Sequence, residues 1–168
     1  VDEFYMDLTG MDRFFGCYKL VTELRKKITR ETGLPISFAL STSKTVAKIG
    51  TGEAKPNGQM EIPIGMEKKF LAPLPVNRIP MVGEKTEKLL SEMGIFFIHH
   101  LQNIPVEKIE STLGENGIVI WNKANGIDHS PVIPYSERKS ISSEQTFDVD
   151  TSDVDSLNPI IVSMAERL

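Results

Sequence analysis

Residues 79–94 read IPMVGEKTEKLLSEMG and combine an apolar segment, a glycine turn and an amphipathic helix pattern. A tight hairpin that leads into a helix N-terminus presents backbone N–H groups, and such groups bind phosphate without reading a base sequence. The stretch therefore predicts a helix-hairpin-helix, and a plain helical packing unit is the alternative. The candidate phosphate contacts are Val82, Gly83, Glu84, Lys85 and Thr86.

The sequence around this stretch predicts a small helical unit. From Met66 to about Asn125 it shows only short helical patterns, which prolines and glycines interrupt. A polar, proline-containing linker is predicted at 129–138, and the alternating residues after it predict a strand.

The first 65 residues predict an α/β or α+β layer. Residues 1–8 and 35–40 alternate as strands do, and a third short strand pattern lies near Met60. Between these predicted strands, apolar residues at helical spacing predict two helices, at 12–32 and 43–55. This order of strands and helices predicts a compact layered unit.

The chain opens with VDEFYMDLTG, in which Asp2 and Glu3 stand side by side. A carboxylate in an apolar strand is costly unless a cation compensates it, and oxygen ligands are those that Mg²⁺ prefers. Neighbours on a regular strand point to opposite faces, so both acids reach one metal only at an irregular strand start or a hairpin mouth. Asp2 and Glu3 are candidate metal ligands, and a solvated edge strand is the alternative.

Three lysines follow on the second predicted helix. Lys44, Lys48 and Lys55 are spaced by four and seven residues and so project to roughly the same side. A basic stripe beside paired carboxylates suits a nucleoside triphosphate with Mg²⁺, whereas an ordinary solvated helix face explains the lysines equally well.

Composition limits the class of protein. The net charge is −4, but the acidic excess lies from residue 131 onward, and a basic face is compatible with the remainder. The single cysteine, Cys17, excludes an internal disulfide and favours a reducing, cytoplasmic location. No apolar run approaches the roughly 20 residues that span a bilayer, so no membrane partner is expected. The start without Met and the end inside a helical pattern lead us to expect a fragment.

Four motifs in this order resemble the Y family of translesion DNA polymerases, in particular its bacterial DinB-like members. Residues 2–7, DEFYMD, are similar to a string in the catalytic palm of that family. Residues 43–58 resemble its next helix, and residues 79–94 resemble the helix-hairpin-helix of its thumb. Residues 138–147 resemble the first strand of its little finger.

The resemblance implies template-directed addition of dNTPs to a primer, with two Mg²⁺ ions as cofactors. Asp2 and Glu3 would be catalytic metal ligands, and Lys55, with Lys44 and Lys48, would contact the triphosphate. The hairpin would follow the DNA backbone through main-chain amides. Residues on the little-finger strand would lie along template phosphates: Arg138, Lys139, Ser140, Ser142 and Ser143. The implied partners are primer–template DNA, dNTP and, through regions outside this chain, the sliding clamp.

The implied fold is α+β. A partial palm, with a mixed or antiparallel sheet and helices on one face, precedes an all-helical thumb and the first strand of a little finger. The expected boundaries are 1–65 for the palm, 66–128 for the thumb, 129–138 for the linker and 139–168 for the little finger.

The chain departs from the family pattern in several places. Met81 stands where the hairpin often has its first glycine, Ser43 replaces an asparagine, and Ala39 replaces a glycine. The family's third metal-binding aspartate and its fingers would lie before Val1. We therefore expect the chain alone to be inactive.

Two other functions remain as alternatives. A GGDEF-type nucleotide cyclase also uses palm-like carboxylates, but its signature requires glycine where Val1 stands. A non-catalytic DNA-binding module built on the hairpin is the second alternative.

Overall fold

The computed structural model describes residues 2–13, 16–134 and 140–168. They form two compact units, Val1–Val132 and Ile133–Leu168. The first unit holds a small sheet and most of the helices, and the second holds one helix.

The sheet of the first unit has two parallel strands. Phe38 pairs with Gln59 and Leu40 with Glu61. The helix between the strands is the crossover that a parallel connection requires. The elements are a 3-10 turn (Met11–Arg13), α1 (Cys17–Thr32), β1 (Phe38–Leu40), α2 (Lys44–Glu53) and β2 (Gln59–Glu61).

The strand predictions were partly wrong. The sheet was expected to be mixed or antiparallel, but its two described strands are parallel. Residues 2–8 and 140–147, where strands were predicted, have no regular structure. A strand forms only where a neighbour accepts and donates its backbone hydrogen bonds, and neither segment has such a neighbour among the described residues.

The second half of the first unit is helical, as predicted. One antiparallel bridge, between Pro75 and Phe97, interrupts the helices. The elements are α3 (Glu67–Leu71), a 3-10 turn (Val76–Arg78), α4 (Glu84–Glu92), α5 (Ile98–Asn103), α6 (Val106–Leu113) and α7 (Glu115–Ala124).

One hydrophobic core joins α2 and the segment after β2 to the helical half of the first unit. Val46 and Ile49 of α2, with Ile62 after β2, belong to the same buried cluster as the helical residues. The largest fully buried side chains of the helical part are Leu71, Ile79, Leu90, Ile95, Ile98, Leu101, Ile109 and Ile120. The predicted division between residues 65 and 66 stays a prediction, since the compact unit extends across it.

Gly50 marks the closest approach of α2 to the strands. A Cβ atom there would lie 2.6 Å from Ile62 Cδ1 and 2.8 Å from Ala39 Cβ, whereas one at Gly52 would meet nothing within 4 Å. We expect Gly50→Ala to lower the free energy of unfolding by about 1–3 kcal/mol through overpacking. Gly52→Ala, the matched control, should be neutral or raise it by up to about 1 kcal/mol, because alanine favours helix. Urea denaturation measures both, and equal stabilities would contradict the close packing.

The second unit is described at 133–134 and 140–168 and contains α8 (Val154–Glu166). Asp153 caps this helix, because its Oδ1 accepts a hydrogen bond from the Asp155 amide at 3.2 Å.

In the described part of the chain, none of the helices combines the length and apolar character needed to span a bilayer.

Candidate functional site

The N-terminal segment lies along α2. Glu3 Oε2 forms an ion pair with Lys48 Nζ. One helical turn earlier, Lys44 Nζ lies 5.3 Å from the centroid of the Tyr5 ring, a cation–π distance. The spacing of four residues places both lysines toward this segment. We call Glu3, Tyr5, Lys44 and Lys48 the acid–lysine cluster.

Electrostatics in the cluster keep Lys48 charged. The hydrogen bond from Lys48 to Glu3 raises the pKa of the ammonium group, and the charge of Asp2 acts in the same direction. Burial raises the pKa of Tyr5, while the nearby Lys48 opposes that rise. Both N-terminal acids therefore act on the lysine face of α2.

Lys55 lies outside the predicted stripe. The helix ends at Glu53 with Ala54 as its C-cap, so Lys55 follows the helix and is exposed. Pro56 cannot continue a helix, since it has no N–H and its ring clashes with the preceding turn. The prediction that all three lysines share one helix face is wrong for Lys55, and its role toward a triphosphate stays a prediction.

Asp2 and Glu3 fit part of the coordination sphere of Mg²⁺. Both side chains are exposed and offer hard oxygen ligands. Within the described residues, no three His, Cys, Asp or Glu side chains come together as a metal site. Two carboxylates are still enough for a Mg²⁺ ion that keeps several waters and binds substrate phosphates. A cation at Glu3 would require its ion pair with Lys48 to open.

The hairpin of residues 79–94 is formed. The Val82 amide donates to Ile79 O at 3.0 Å, and the Glu87 amide donates to Gly83 O at 2.9 Å. Gly83 is the N-cap of α4 and supplies no side-chain cap. The next three amides, of residues 84–86, have no acceptor among the described residues. The helix-hairpin-helix therefore leaves donors free in the position where a phosphate would bind.

Met81 adopts a left-handed backbone conformation, with φ of 85°. This conformation costs a residue other than glycine about 1–2 kcal/mol. The turn is thus kept although the glycine expected from the family pattern is absent. The Met81 side chain is exposed, and its Sδ lies 3.5 Å from Lys123 Nζ.

Asp128 was not predicted as a site residue. Its Oδ2 accepts from the Thr45 amide at 3.0 Å and from Thr45 Oγ1 at 2.7 Å. Its Oδ1 accepts from the Ser130 amide at 3.0 Å and from Ser130 Oγ at 2.6 Å. The Asp-His-Ser string is typical of a local turn, and that signal could have identified Ser130. The contact with Thr45 joins residues 83 apart and has no local signal.

The hydrogen bonds keep Asp128 ionised. Burial alone would raise the pKa of its carboxyl group, but the bonds from Ser130 and Thr45 outweigh it and lower the pKa to about 2. Because the folded-state pKa lies below the ordinary value of 3.8, the carboxylate stabilises the fold above about pH 4. That contribution is lost as the pH falls toward 2.

The predicted template contacts belong to the second unit. Arg138 and Lys139 lie outside the described residues. Ser140 and Ser142 are exposed, and Ser143 is half-buried. Their role toward DNA stays a prediction.

Two family models match the chain. Residues 1–52 match the impB/mucB/samB family, and residues 65–95 match the IMS family HHH motif. The first range contains the acid–lysine cluster, and the second contains the hairpin.

Similar proteins carry the name DNA polymerase IV. The chain is 39% identical over 169 residues to the one from Dehalococcoides mccartyi, a match that covers 100% of this chain and 43% of that protein. It is 37% identical over 168 residues to the one from Xanthomonas campestris pv. campestris, covering 99% of this chain and 46% of that protein. The chain thus spans less than half the length of these relatives.

Solved structures are similar in fold. DinB from Sulfolobus solfataricus matches with a TM-score of 0.66 and 22% identity, over 76% of this chain and 38% of that one. A Dbh ternary complex matches with the same TM-score and identity, over 76% of this chain and 39% of that one. These matches confirm the predicted α+β fold class.

Proposed function

We propose that this chain belongs to the Y family of DNA polymerases and supplies part of a translesion DNA-directed DNA polymerase, because residues 1–52 match the impB/mucB/samB family and residues 65–95 match the IMS family HHH motif. The observation that carries the proposal is the acid–lysine cluster, because Glu3 forms an ion pair with Lys48 and the charge of Asp2 also acts on Lys48. These residues lie within residues 1–52, the range that matches the family. Relatives of this chain are named DNA polymerase IV.

In the proposed reaction, Asp2 and Glu3 would hold Mg²⁺, and the ion would supply positive charge for the transferring phosphoryl group. Lys44 and Lys48 attract the triphosphate of the incoming dNTP by their charge. Lys48 is paired with Glu3 in the structure. A phosphate oxygen would replace Glu3 as the partner of Lys48, and the released carboxylate would become free to bind the cation. Phosphate binding at Lys48 and the release of Glu3 as a ligand would thereby be coupled.

The hairpin is proposed to hold the DNA backbone. The free amides of residues 84–86 lie at the N-terminus of α4, where the helix dipole favours an anion. Lys85 adds a positive charge to the same turn, whereas Glu84 and Glu87 oppose it. Contacts of this kind position DNA without reading its sequence.

The proposal is tested by exchanging homologous segments. This chain aligns with 169 residues of the Dehalococcoides mccartyi protein, so it can replace that segment in the longer chain. We expect the chimera to extend a primer on an undamaged template with Mg²⁺ and all four dNTPs, and to copy past a damaged base. A chimera that folds and binds DNA but does not extend a primer would contradict the proposed function.

A non-catalytic DNA-binding module is the second candidate, and the free amides of the hairpin favour it for this chain alone. The expected affinity is weak, independent of sequence and steeply dependent on salt, because phosphate contacts release counterions. The nucleotide-cyclase alternative receives no support from the family models or the relatives. A cytoplasmic location and a sliding-clamp contact outside this chain stay predictions.

Lys85→Ala should weaken DNA binding to the same extent on every sequence. The slope of log affinity against log salt should fall by about one, as expected for the loss of one phosphate contact. Lys108→Ala, the matched control, removes an exposed charge from α6 and should leave the slope unchanged. Fluorescence anisotropy at several salt concentrations measures both. Equal slopes for the two variants would argue against a phosphate contact at the hairpin.

A further inference from the structure

We propose that Asp128 is a positioning residue that fixes the N-terminus of α2, and with it the lysines of the acid–lysine cluster, to the end of the helical segment. Its effect on the reaction rests on the proposed function. Its structural role does not, and can be measured separately.

Asp128 acts as a second N-terminal cap of α2. The first amides of a helix have no acceptor within the helix. Ser43, the residue before α2, accepts the Val46 amide at 3.3 Å, which is an ordinary local cap. Asp128 accepts the Thr45 amide at 3.0 Å and thereby satisfies another of these donors from a distant part of the chain. Its negative charge at the helix N-terminus is also favourable toward the dipole.

Thr45 strengthens the contact with Asp128, because both its amide and its hydroxyl bind the same carboxylate. It is the one buried polar residue of the described core, with 3% of its surface exposed. Its Oγ1 donates to the same Asp128 oxygen at 2.7 Å. A buried hydroxyl and a buried amide would both lose their acceptor without this carboxylate, and such groups are costly to leave unpaired. The native position of Thr45 therefore depends on Asp128.

The loop after Asp128 also contacts Lys44. Ser130 holds the other carboxylate oxygen through its amide and its hydroxyl. Pro131 O then accepts from Lys44 Nζ at 3.3 Å, while the Tyr5 ring faces the same ammonium group. The orientation of Lys44 and the conformation of this loop are thus linked.

A weaker contact exists at the other end of α2. Arg78 Nε lies 3.3 Å from Glu53 Oε1, but the two groups are not aligned for a hydrogen bond. Arg78 is about half exposed, so this pair contributes little.

Just before α2, Thr42 Oγ1 donates to Glu67 Oε1 at 2.7 Å, and Val46 and Ile49 of α2 pack in the shared core. Among these contacts, Asp128 is the distant residue that accepts a backbone amide of α2 itself. Small displacements of substrate-binding groups have large effects on rate.

Amide hydrogen exchange on this chain tests the structural role without any polymerase activity. In Asp128→Ala, the Thr45 amide should exchange about tenfold faster or more, while the Leu90 amide in α4 should keep its rate. Asp153→Ala is the matched control, because Asp153 caps α8 by the same chemistry. Asp153→Ala should leave the exchange rate of the Thr45 amide unchanged. An unchanged rate at Thr45, or an equal acceleration at Thr45 and Leu90, would overturn the proposal.

Kinetics of the chimera test the effect on the reaction. In Asp128→Ala, KM for dNTP should rise about tenfold, with the Kd for DNA unchanged, because lysine placement and not DNA contact is lost. Thr45→Val, which removes only the hydroxyl, should raise KM less than Asp128→Ala does. The effect of the double variant should be smaller than the sum of the two single effects.

An unchanged KM in Asp128→Ala, together with faster hydrogen exchange of the Thr45 amide, would overturn the positioning role. A wild-type chimera without activity would contradict the proposed function, and the exchange measurement would still decide the role of Asp128.

Discussion

Asp2→Asn and Glu3→Gln are each expected to reduce primer extension by the chimera by at least about 1,000-fold. The amides keep the size of the side chains but remove the negative charge that would hold a divalent cation in the proposed reaction. Metal ions contribute several kcal/mol to catalysis of this class, and about 1.4 kcal/mol corresponds to tenfold in rate. Single-turnover extension of a labelled primer measures the loss.

The effect should be confined to catalysis. Neither acid lies in the hairpin, so the affinity for primer–template DNA should change little. Asp12→Asn is the matched control, since Asp12 is an exposed acid in the 3-10 turn Met11–Arg13 and lies outside the cluster. Near-normal synthesis by both Asp2→Asn and Glu3→Gln would refute the metal assignment.

Leu90→Ala should lower the free energy of unfolding by about 2–5 kcal/mol, which is the usual cost of a large-to-small change in a core. Leu90 is fully buried, with 0% of its surface exposed, and its carbonyl accepts the Ile95 amide at 2.8 Å. Its neighbour Leu89 is 44% exposed, so Leu89→Ala should cost much less. Denaturant unfolding of the two variants measures this difference.

This pair also tests the orientation of α4. The N-terminus of α4 presents the hairpin amides. Under conditions in which Leu90→Ala leaves a fraction of the molecules unfolded, the variant should therefore bind DNA more weakly. Leu89→Ala removes the same atoms from the solvent-facing side and controls for helix propensity. If the two variants lost equal stability, the buried face assigned to α4 would be wrong.

Local patterns predicted the helical half of the chain well. Helix spacing and the positions of proline and glycine act over a few residues, so they identified the helical segment and the turn at Gly83. The same reasoning identified Lys44 and Lys48 as neighbours on one face of α2, and the structure brings Lys48 to Glu3. Lys55 was predicted to lie on the same helix face, but α2 ends at Glu53. The exact end of a helix depends on small local preferences, and here Pro56 prevents the helix from continuing.

The strands show the limit of local patterns. Residues 2–8 alternate in the manner of a strand, but alternation describes only which faces are apolar. Whether a segment becomes a strand, and whether its neighbour runs parallel, depends on backbone hydrogen bonds to residues far along the chain. That dependence explains why the sheet direction was wrong.

By itself, the sequence determined the helical segment, the phosphate-type hairpin and the spacing that puts Lys44 and Lys48 on one face of α2, because each follows from a pattern within one short segment. The ion pair between Glu3 and Lys48, across 45 residues, was decided by the tertiary structure. Only the tertiary structure decided which strands form, how β1 and β2 are oriented, and that Asp128 meets Thr45. The physical reason is that these features consist of hydrogen bonds between distant segments, as in the Asp128–Thr45 contact across 83 residues. Such bonds exist only after the core has brought the segments together.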